Sequence, residues 1–145
     1  MREIEVKVRA KNLKSVEEKL VERGCVLSSP IFQHDVIYTH AGNAAEFAQA
    51  REGYFIVRIR REDRTSTLTL KKQISNELDN TEFETRINNP DTMHEMLLIM
   101  GYTPEVEVRK TRRKGKLGEY EICLDEVEKL GAFVEIEKLT DEHVN

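Results

Sequence analysis

Charged side chains of both signs recur at every second position in one stretch of this chain after another. Glu3, Glu5, Lys7 and Arg9 alternate with Ile4, Val6 and Val8, and a period of two places the two sets on opposite faces of a β-strand. The same spacing puts Arg58 with Arg60, Lys71 with Thr67 and Thr69, Glu82 with Glu84 and Arg86, Lys110 with Arg112, Glu121 with Asp125, and Glu135 with Glu137. Any one of these faces reads as the wet side of an antiparallel sheet. Taken together they ask for more, because the apolar faces behind them, such as Ile4, Val6 and Val8 or Leu68 and Leu70, must be covered, and two amphipathic helices can do so from outside. A sheet curled in that way turns its charges inward, and a cavity lined by both signs needs an ionic guest. A polyphosphate with divalent cations meets that need. Lys and Arg neutralise phosphate oxygens, Arg through its planar fork, while carboxylates offer Mg²⁺ or Mn²⁺ the hard oxygen ligands these ions prefer.

The elements that must position these residues can be read from periodicity. Glu3 to Arg9 is a strand; Leu13, Val16, Leu20 and Val21 then recur at helical spacing, and Gly24 stands where a left-handed cap ends the helix. Ile31 to Tyr38 is a second strand, and His40 to Gly53 a long connection, a plain loop or a lid over a site. Strands follow at Tyr54 to Arg61, Thr65 to Lys72 and Thr81 to Ile87, with turn residues in Glu62 to Arg64 and Ser75 to Asn80. Asn89 and Pro90 open a second helix, in which Met93, Met96, Leu97 and Met100 form a core-facing stripe and which Gly101 closes. Three more strands read at Glu105 to Arg113, Gly118 to Leu124 and Ala132 to Lys138. The expectation is an α+β fold of eight antiparallel strands and two helices. Glu3 to Lys7 leads into a helix ending at Gly24, and Glu82 to Arg86 into one ending at Gly101, so two variants of one strand-helix unit are expected to build two halves of a barrel.

Composition narrows the function classes. At 145 residues the chain is about one domain long, with a charged share of 34% and an apolar share of 39%, as suits a folded, charge-rich protein. Lys plus Arg (23) against Asp plus Glu (27) gives a net charge of -4, which argues against a general nucleic-acid binder. No apolar run suggests a signal peptide or a membrane span, so no membrane partner and a cytoplasmic location are expected. Cys25 and Cys123 read as buried thiols rather than a disulfide, and His34, His40, His94 and His143 lack zinc-ligand spacing.

These residues support a resemblance. Glu3-Ile4-Glu5-Val6-Lys7 resembles the N-terminal signature of the CYTH superfamily, the triphosphate tunnel metalloenzymes, and the ordered followers Arg58, Arg60, Lys71, Glu82, Glu84, Lys110, Arg112, Asp125, Glu135 and Glu137 carry the match over nearly the whole chain. Gln33-His34-Asp35, with Leu124-Asp125-Glu126-Val127 leading to Leu130-Gly131-Ala132-Phe133-Val134-Glu135, resembles the class IV adenylyl cyclase branch. The resemblance implies an eight-stranded antiparallel tunnel, with Glu5, Glu135 and Glu137 as principal metal ligands and Glu3 and Asp125 as direct or water-mediated ones. It implies phosphate binding by Lys7, Arg58, Arg60, Lys71, Lys110 and Arg112, an orienting role for Glu82 and Glu84, and a catalytic set of Lys7, Arg112 and Asp125. Arg9, Arg86 and Glu121 share those faces without a matched role. The superfamily usually continues past the last acidic pair with a helix and a closing segment. Here Thr140-Asp141-Glu142-His143 reads as the start of that helix, so one wall is expected to be short or completed by a partner subunit, and a homodimer would fit the resemblance.

Three functions stay open at this level. A cyclase would turn ATP into cyclic AMP and pyrophosphate; a hydrolase would cleave tripolyphosphate, thiamine triphosphate or a nucleotide; a sensor would bind a triphosphate without turnover. The cyclase is the leading expectation.

Overall fold

The structure, a computed structural model, describes residues 2–40, 54–76 and 78–140. The elements run β1 (Arg2–Arg9), α1 (Leu13–Glu22), β2 (Ile31–His40), β3 (Phe55–Arg61), β4 (Ser66–Asn76), β5 (Asp79–Ile87), α2 (Pro90–Ile99), β6 (Tyr102–Leu117), β7 (Tyr120–Val127) and β8 (Gly131–Thr140). The order is strand, helix and three strands, twice over, as the two matching sequence segments predict. Asn12 Oδ1 caps α1 by accepting from the Ser15 amide, and Asn89 Oδ1 caps α2 by accepting from the Thr92 amide. Gly24 and Gly101 follow the helices with φ of 87° and 94°, the left-handed conformation that a side chain would strain.

All eight strands pair antiparallel in the order β1-β5-β4-β3-β2-β6-β7-β8, and β8 pairs back to β1 from Arg2 with Thr140 to Arg9 with Phe133, which closes the sheet into a ring. The β1–β5 seam is short, running only from Arg2 with Thr81 to Ile4 with Asp79, so the rest of β1 and β5 is unpaired on that side. The strands outrun their predicted bounds: β6 starts at Tyr102 rather than Glu105 and ends at Leu117 rather than Arg113, and β4 runs on to Asn76. Gly115 sits inside β6 because the α1–β2 connection presses against it; a Cβ there would lie 2.6 Å from Cys25 Sγ and 2.9 Å from the Val26 carbonyl oxygen.

The core lies outside the ring, in two patches under the two helices. Ile122, Leu124 and Val134 are buried beneath Leu13, Val16 and Leu20 of α1. Tyr38, Val57, Ile59 and Leu97 form the second patch, with Leu68, Leu70 and Met93 packed around it. Two expectations are corrected here. Ile4, Val6 and Val8 are not covered by a helix: they stay 41%, 51% and 51% exposed, because α1 sits over β7 and β8 and α2 over β2, β3 and β4. Met96 and Met100 are exposed as well, so α2 buries Leu97 and Met93 rather than the full methionine stripe. Thr140 belongs to β8 and His40 to β2; the rest of the helix expected to begin at Thr140, and of the connection expected from His40 to Gly53, lies outside the described residues. Cys25 and Cys123 are buried free thiols. Among the described residues, no helix is long and apolar enough to cross a membrane.

Candidate active site

Inward-facing side chains from all eight strands line one cavity of about 860 Å³ inside the ring, a size suited to a small organic ligand. Every residue to which the resemblance gave a site role lines it: Glu3, Glu5, Lys7, Arg58, Arg60, Lys71, Glu82, Glu84, Lys110, Arg112, Asp125, Glu135 and Glu137. Asp35, Lys114, Glu121 and Cys123 join them, as do Ile37, Ile56, Val108, Val127, Leu130 and Phe133. Nine carboxylates face seven cationic side chains. A polyanion entering such a wall needs added cations, since the wall alone does not neutralise it.

Register explains the gathering. β1 and β8 set Glu5 directly across from Glu137, and Lys7 across from Glu135; β4 and β5 set Lys71 across from Glu82; β6 and β7 set Arg112 across from Asp125. Much of the wall is then locked by ion pairs. Arg112 donates from Nε and Nη2 to both oxygens of Asp125 at 2.7 and 2.8 Å, and from Nη2 to Glu135 at 2.8 Å. Lys7 Nζ lies 3.0 Å from Glu135. Arg60 forks onto Asp35 with two bonds of 2.8 Å, and Lys110 Nζ stands between Asp35 at 3.8 Å and Asp125 at 3.7 Å. Burial alone would raise the Asp35 and Glu135 carboxyls, but Arg60 brings the first down to about 2, and Arg112 and Lys7 bring the second to about 2. Burial, together with Arg112 and Arg60, pulls the Lys110 ammonium down to about 8.

One end of the cavity is different. Glu3, Glu5 and Glu137 each turn an oxygen to within 4.8 Å of the others. Lys71 donates to Glu3 at 2.7 Å, yet burial and a hydrogen bond with Glu82 still push Glu3 up to about 7. Burial and Glu3 push Glu137 up to about 7, and burial and Glu135 raise Glu5. Three crowded, partly desolvated carboxylates attract a cation, and an all-oxygen donor set fits a hard divalent ion such as Mg²⁺ or Mn²⁺. The five carboxylates expected to serve as ligands therefore divide: Glu3, Glu5 and Glu137 converge, while Asp125 and Glu135 are held by Arg112.

Arg58 is the counterpart on the cationic side. No carboxylate lies within ion-pair distance of it among the described residues, its Nη2 reaches Thr69 Oγ1 only at 3.5 Å, and its buried Nε has no partner. Burial and the neighbouring Arg60 pull it below the ordinary arginine range. A buried, unpaired guanidinium donor facing a cavity is the arrangement an anionic guest would complete.

Asp35 is the residue whose pairing sequence reading missed, although a lone carboxylate between Gln33 and Ile37 on one strand face signals a buried partner. Arg9, which had no matched role, is not among the lining residues; its guanidinium carbon lies 5.2 Å from the centre of the Phe133 ring. Arg86 does not line the cavity.

The chain's similarity to known proteins agrees with this geometry. A protein of Methanocaldococcus jannaschii named "Putative adenylate cyclase" is 30% identical over 140 residues, 95% of this chain and 77% of that one. A Pyrococcus horikoshii protein of solved structure matches with a TM-score of 0.80 at 25% identity, over 97% of this chain and 80% of that one. A Hippeastrum protein, named a "putative adenylyl cyclase" and described as having a dominant triphosphatase activity, shares the fold at 20% identity with a TM-score of 0.64, over 97% of this chain and 80% of that one. The family model for the CYTH domain matches residues 1–145, and the chain belongs to the CYTH family.

Proposed function

We propose that this protein is a metal-dependent enzyme acting on a triphosphate inside the ring, with ATP as substrate and cyclic AMP and pyrophosphate as products. The observation that carries the reading is one cavity that holds both the converging Glu3, Glu5 and Glu137 carboxylates and a buried Arg58 donor that no side chain among the described residues satisfies. A triphosphate with its counter-ion answers both. The name of the M. jannaschii relative favours the cyclase.

Glu3, Glu5 and Glu137 would hold the divalent ion, which when bound polarises phosphate oxygens as a Lewis acid. Arg58, Arg60, Lys71 and Lys110 hold the phosphate chain, and Glu82 and Glu84 set the orientation of these cations. Asp125, pinned by Arg112, orients the ribose 3′-hydroxyl toward the α-phosphorus. The new O–P bond forms as the bridging bond to the β-phosphate breaks, the hydroxyl proton passes to a carboxylate, and Lys7 and Arg112 stabilise the charge gathering on pyrophosphate. Prealigned ion pairs lower the reorganisation this requires.

The test is to incubate the protein with ATP or tripolyphosphate and Mg²⁺ or Mn²⁺, then to resolve cyclic AMP, pyrophosphate and orthophosphate. Cyclic AMP with pyrophosphate supports the proposal. Orthophosphate would replace the cyclase by a triphosphatase, the activity described for the Hippeastrum protein, and tight binding without product would make the chain a sensor.

A further inference from the structure

Strand β5 lacks a neighbour over its second half. β1 begins at Arg2, across from Thr81, and runs from there back toward Asp79. Among the described residues, therefore, nothing pairs with β5 from Glu82 onward on that side. Phe83, Glu84, Thr85 and Arg86 are all exposed in consequence, and Phe83 is 62% exposed although it is a large apolar side chain. Such an edge presents free backbone amides and carbonyls to any extended chain that can match it.

The side chains along the edge are short of partners as well. Glu84 accepts one bond, from Thr69 Oγ1 at 3.1 Å. The Thr85 hydroxyl turns to the Arg86 carbonyl oxygen of its own strand, at 3.5 Å, and the Arg86 guanidinium has no ion pair among the described residues.

Charges on an edge strand ordinarily keep other strands away, a defence that depends on which charges meet. Glu82 and Glu84 point into the ring, so alternation puts Arg86 on the same face and Phe83, Thr85 and Ile87 on the outer one. In a two-fold antiparallel pairing of this edge with itself, a register centred on Phe83 sets Glu82 against Glu84. One centred on Glu84 or on Arg86 sets that residue against its own charge. The register centred on Thr85 does the reverse: Glu84 faces Arg86 of the second copy, twice over by symmetry, while Phe83 faces Ile87 and Thr85 faces Thr85. Unlike charges and Thr–Thr pairs are each favourable at directly opposite positions of an antiparallel ladder, and so are aromatic with β-branched pairs.

We infer that residues 83–87 of β5 form a docking edge for a second copy of this chain, paired antiparallel about a two-fold axis at Thr85. Arg2, across from Thr81, stops the seam from running further. So short a seam buries less than the roughly 800 Å² per partner of a stable interface, so this dimer dissociates on dilution. Glu84 lines the cavity, and the contact brings Arg86 of the second copy to the wall where the ring is open. The inference needs neither metal nor triphosphate and stands apart from the proposed reaction.

The experiment is sedimentation velocity over a dilution series, with disulfide trapping in parallel. The wild type is expected to pass from dimer to monomer on dilution. Arg86→Glu sets two like-charge pairs against each other and should raise the dimer Kd about tenfold or more. Adding Glu84→Arg to the same chain should restore the dimer. Thr85→Cys should link two copies under mild oxidation, because directly opposite Cα atoms lie about 4.5–5.5 Å apart, within disulfide reach. Phe83→Cys should not, since its own copy stands about 13 Å away along the strand; the native Cys25 and Cys123 are buried and do not compete. A protein that sediments as a monomer at every concentration would overturn the inference. So would a dimer that Arg86→Glu leaves intact, or one trapped through Phe83→Cys rather than Thr85→Cys.

Discussion

Two arginines on the same wall are expected to respond in opposite ways to the same substitution. Arg112 is 5% exposed and gives three hydrogen bonds to Asp125 and Glu135, which are themselves 1% and 5% exposed. Arg112→Met leaves two buried carboxylates with only Lys110 at 3.7 Å and Lys7 at 3.0 Å, a loss on the order of 3–5 kcal/mol for a broken buried network. Among the described residues Arg58 has no ion pair to lose, and its buried Nε has no partner. Arg58→Met keeps most of the alkyl stem and removes an unsatisfied donor that costs about 1–3 kcal/mol. Attraction from Asp35, Glu82 and Glu84 sets the gain toward the lower end. Thermal unfolding without ligand should therefore rise by a few degrees for Arg58→Met and fall by roughly 10 °C for Arg112→Met, at about 2–4 °C per kcal/mol for a chain of this size. With Mg²⁺ and tripolyphosphate at about a hundredfold over Kd, the wild type should gain about 2.7 kcal/mol, and both variants should lose most of that gain. An Arg58→Met protein that unfolds as early as Arg112→Met would refute the reasoning, because Arg58 would then be a structural cation rather than one waiting for a guest.

Other outcomes follow from the same structure. The metal-free protein should lose stability as pH rises from about 4.5 to about 7: Glu3 and Glu137 ordinarily titrate at 4.5 and are pushed up to about 7 on folding, so the folded state holds the extra protons in that window and loses the advantage above it. Thermal melts across this range should show the decline, and Glu137→Gln should flatten it; Asp35 and Glu135, held at about 2, act in the opposite sense only at lower pH. Glu5→Gln should weaken Mn²⁺ binding, read by electron paramagnetic resonance, by about tenfold or more and remove turnover, whereas chelation of metal from the wild type should stop turnover reversibly. Gly115→Ala should destabilise by about 1–3 kcal/mol in urea titration, because its Cβ would meet Cys25 Sγ at 2.6 Å and the Val26 carbonyl at 2.9 Å. Val6→Thr, on the open outer face of β1, should change stability by less than about 0.5 kcal/mol.

What the sequence determined by itself was the set of faces. Strict alternation assigns Glu3, Glu5 and Lys7 to one side of β1 and Glu135 and Glu137 to one side of β8 whatever the fold, because a strand's side chains point alternately. The helix ends were equally local, being set by Asn12, Gly24, Asn89 and Gly101 through their own backbone and side-chain bonds. Strand ends were less legible: long-range pairing, not propensity, carries β6 from Tyr102 to Leu117. Which charges are committed was decided only by tertiary structure. Lys7 and Arg58 look alike in sequence, but strand register gives Lys7 a carboxylate and leaves Arg58 without one; Glu5 and Glu135 look alike, but Arg112 reaches one and not the other. The sign and size of each pKa shift depend on burial and on neighbours from other strands, quantities that exist only once the ring has closed. The open face of β1 has the same origin, since where α1 and α2 lie is fixed by the patches they bury and not by the apolar residues they leave uncovered.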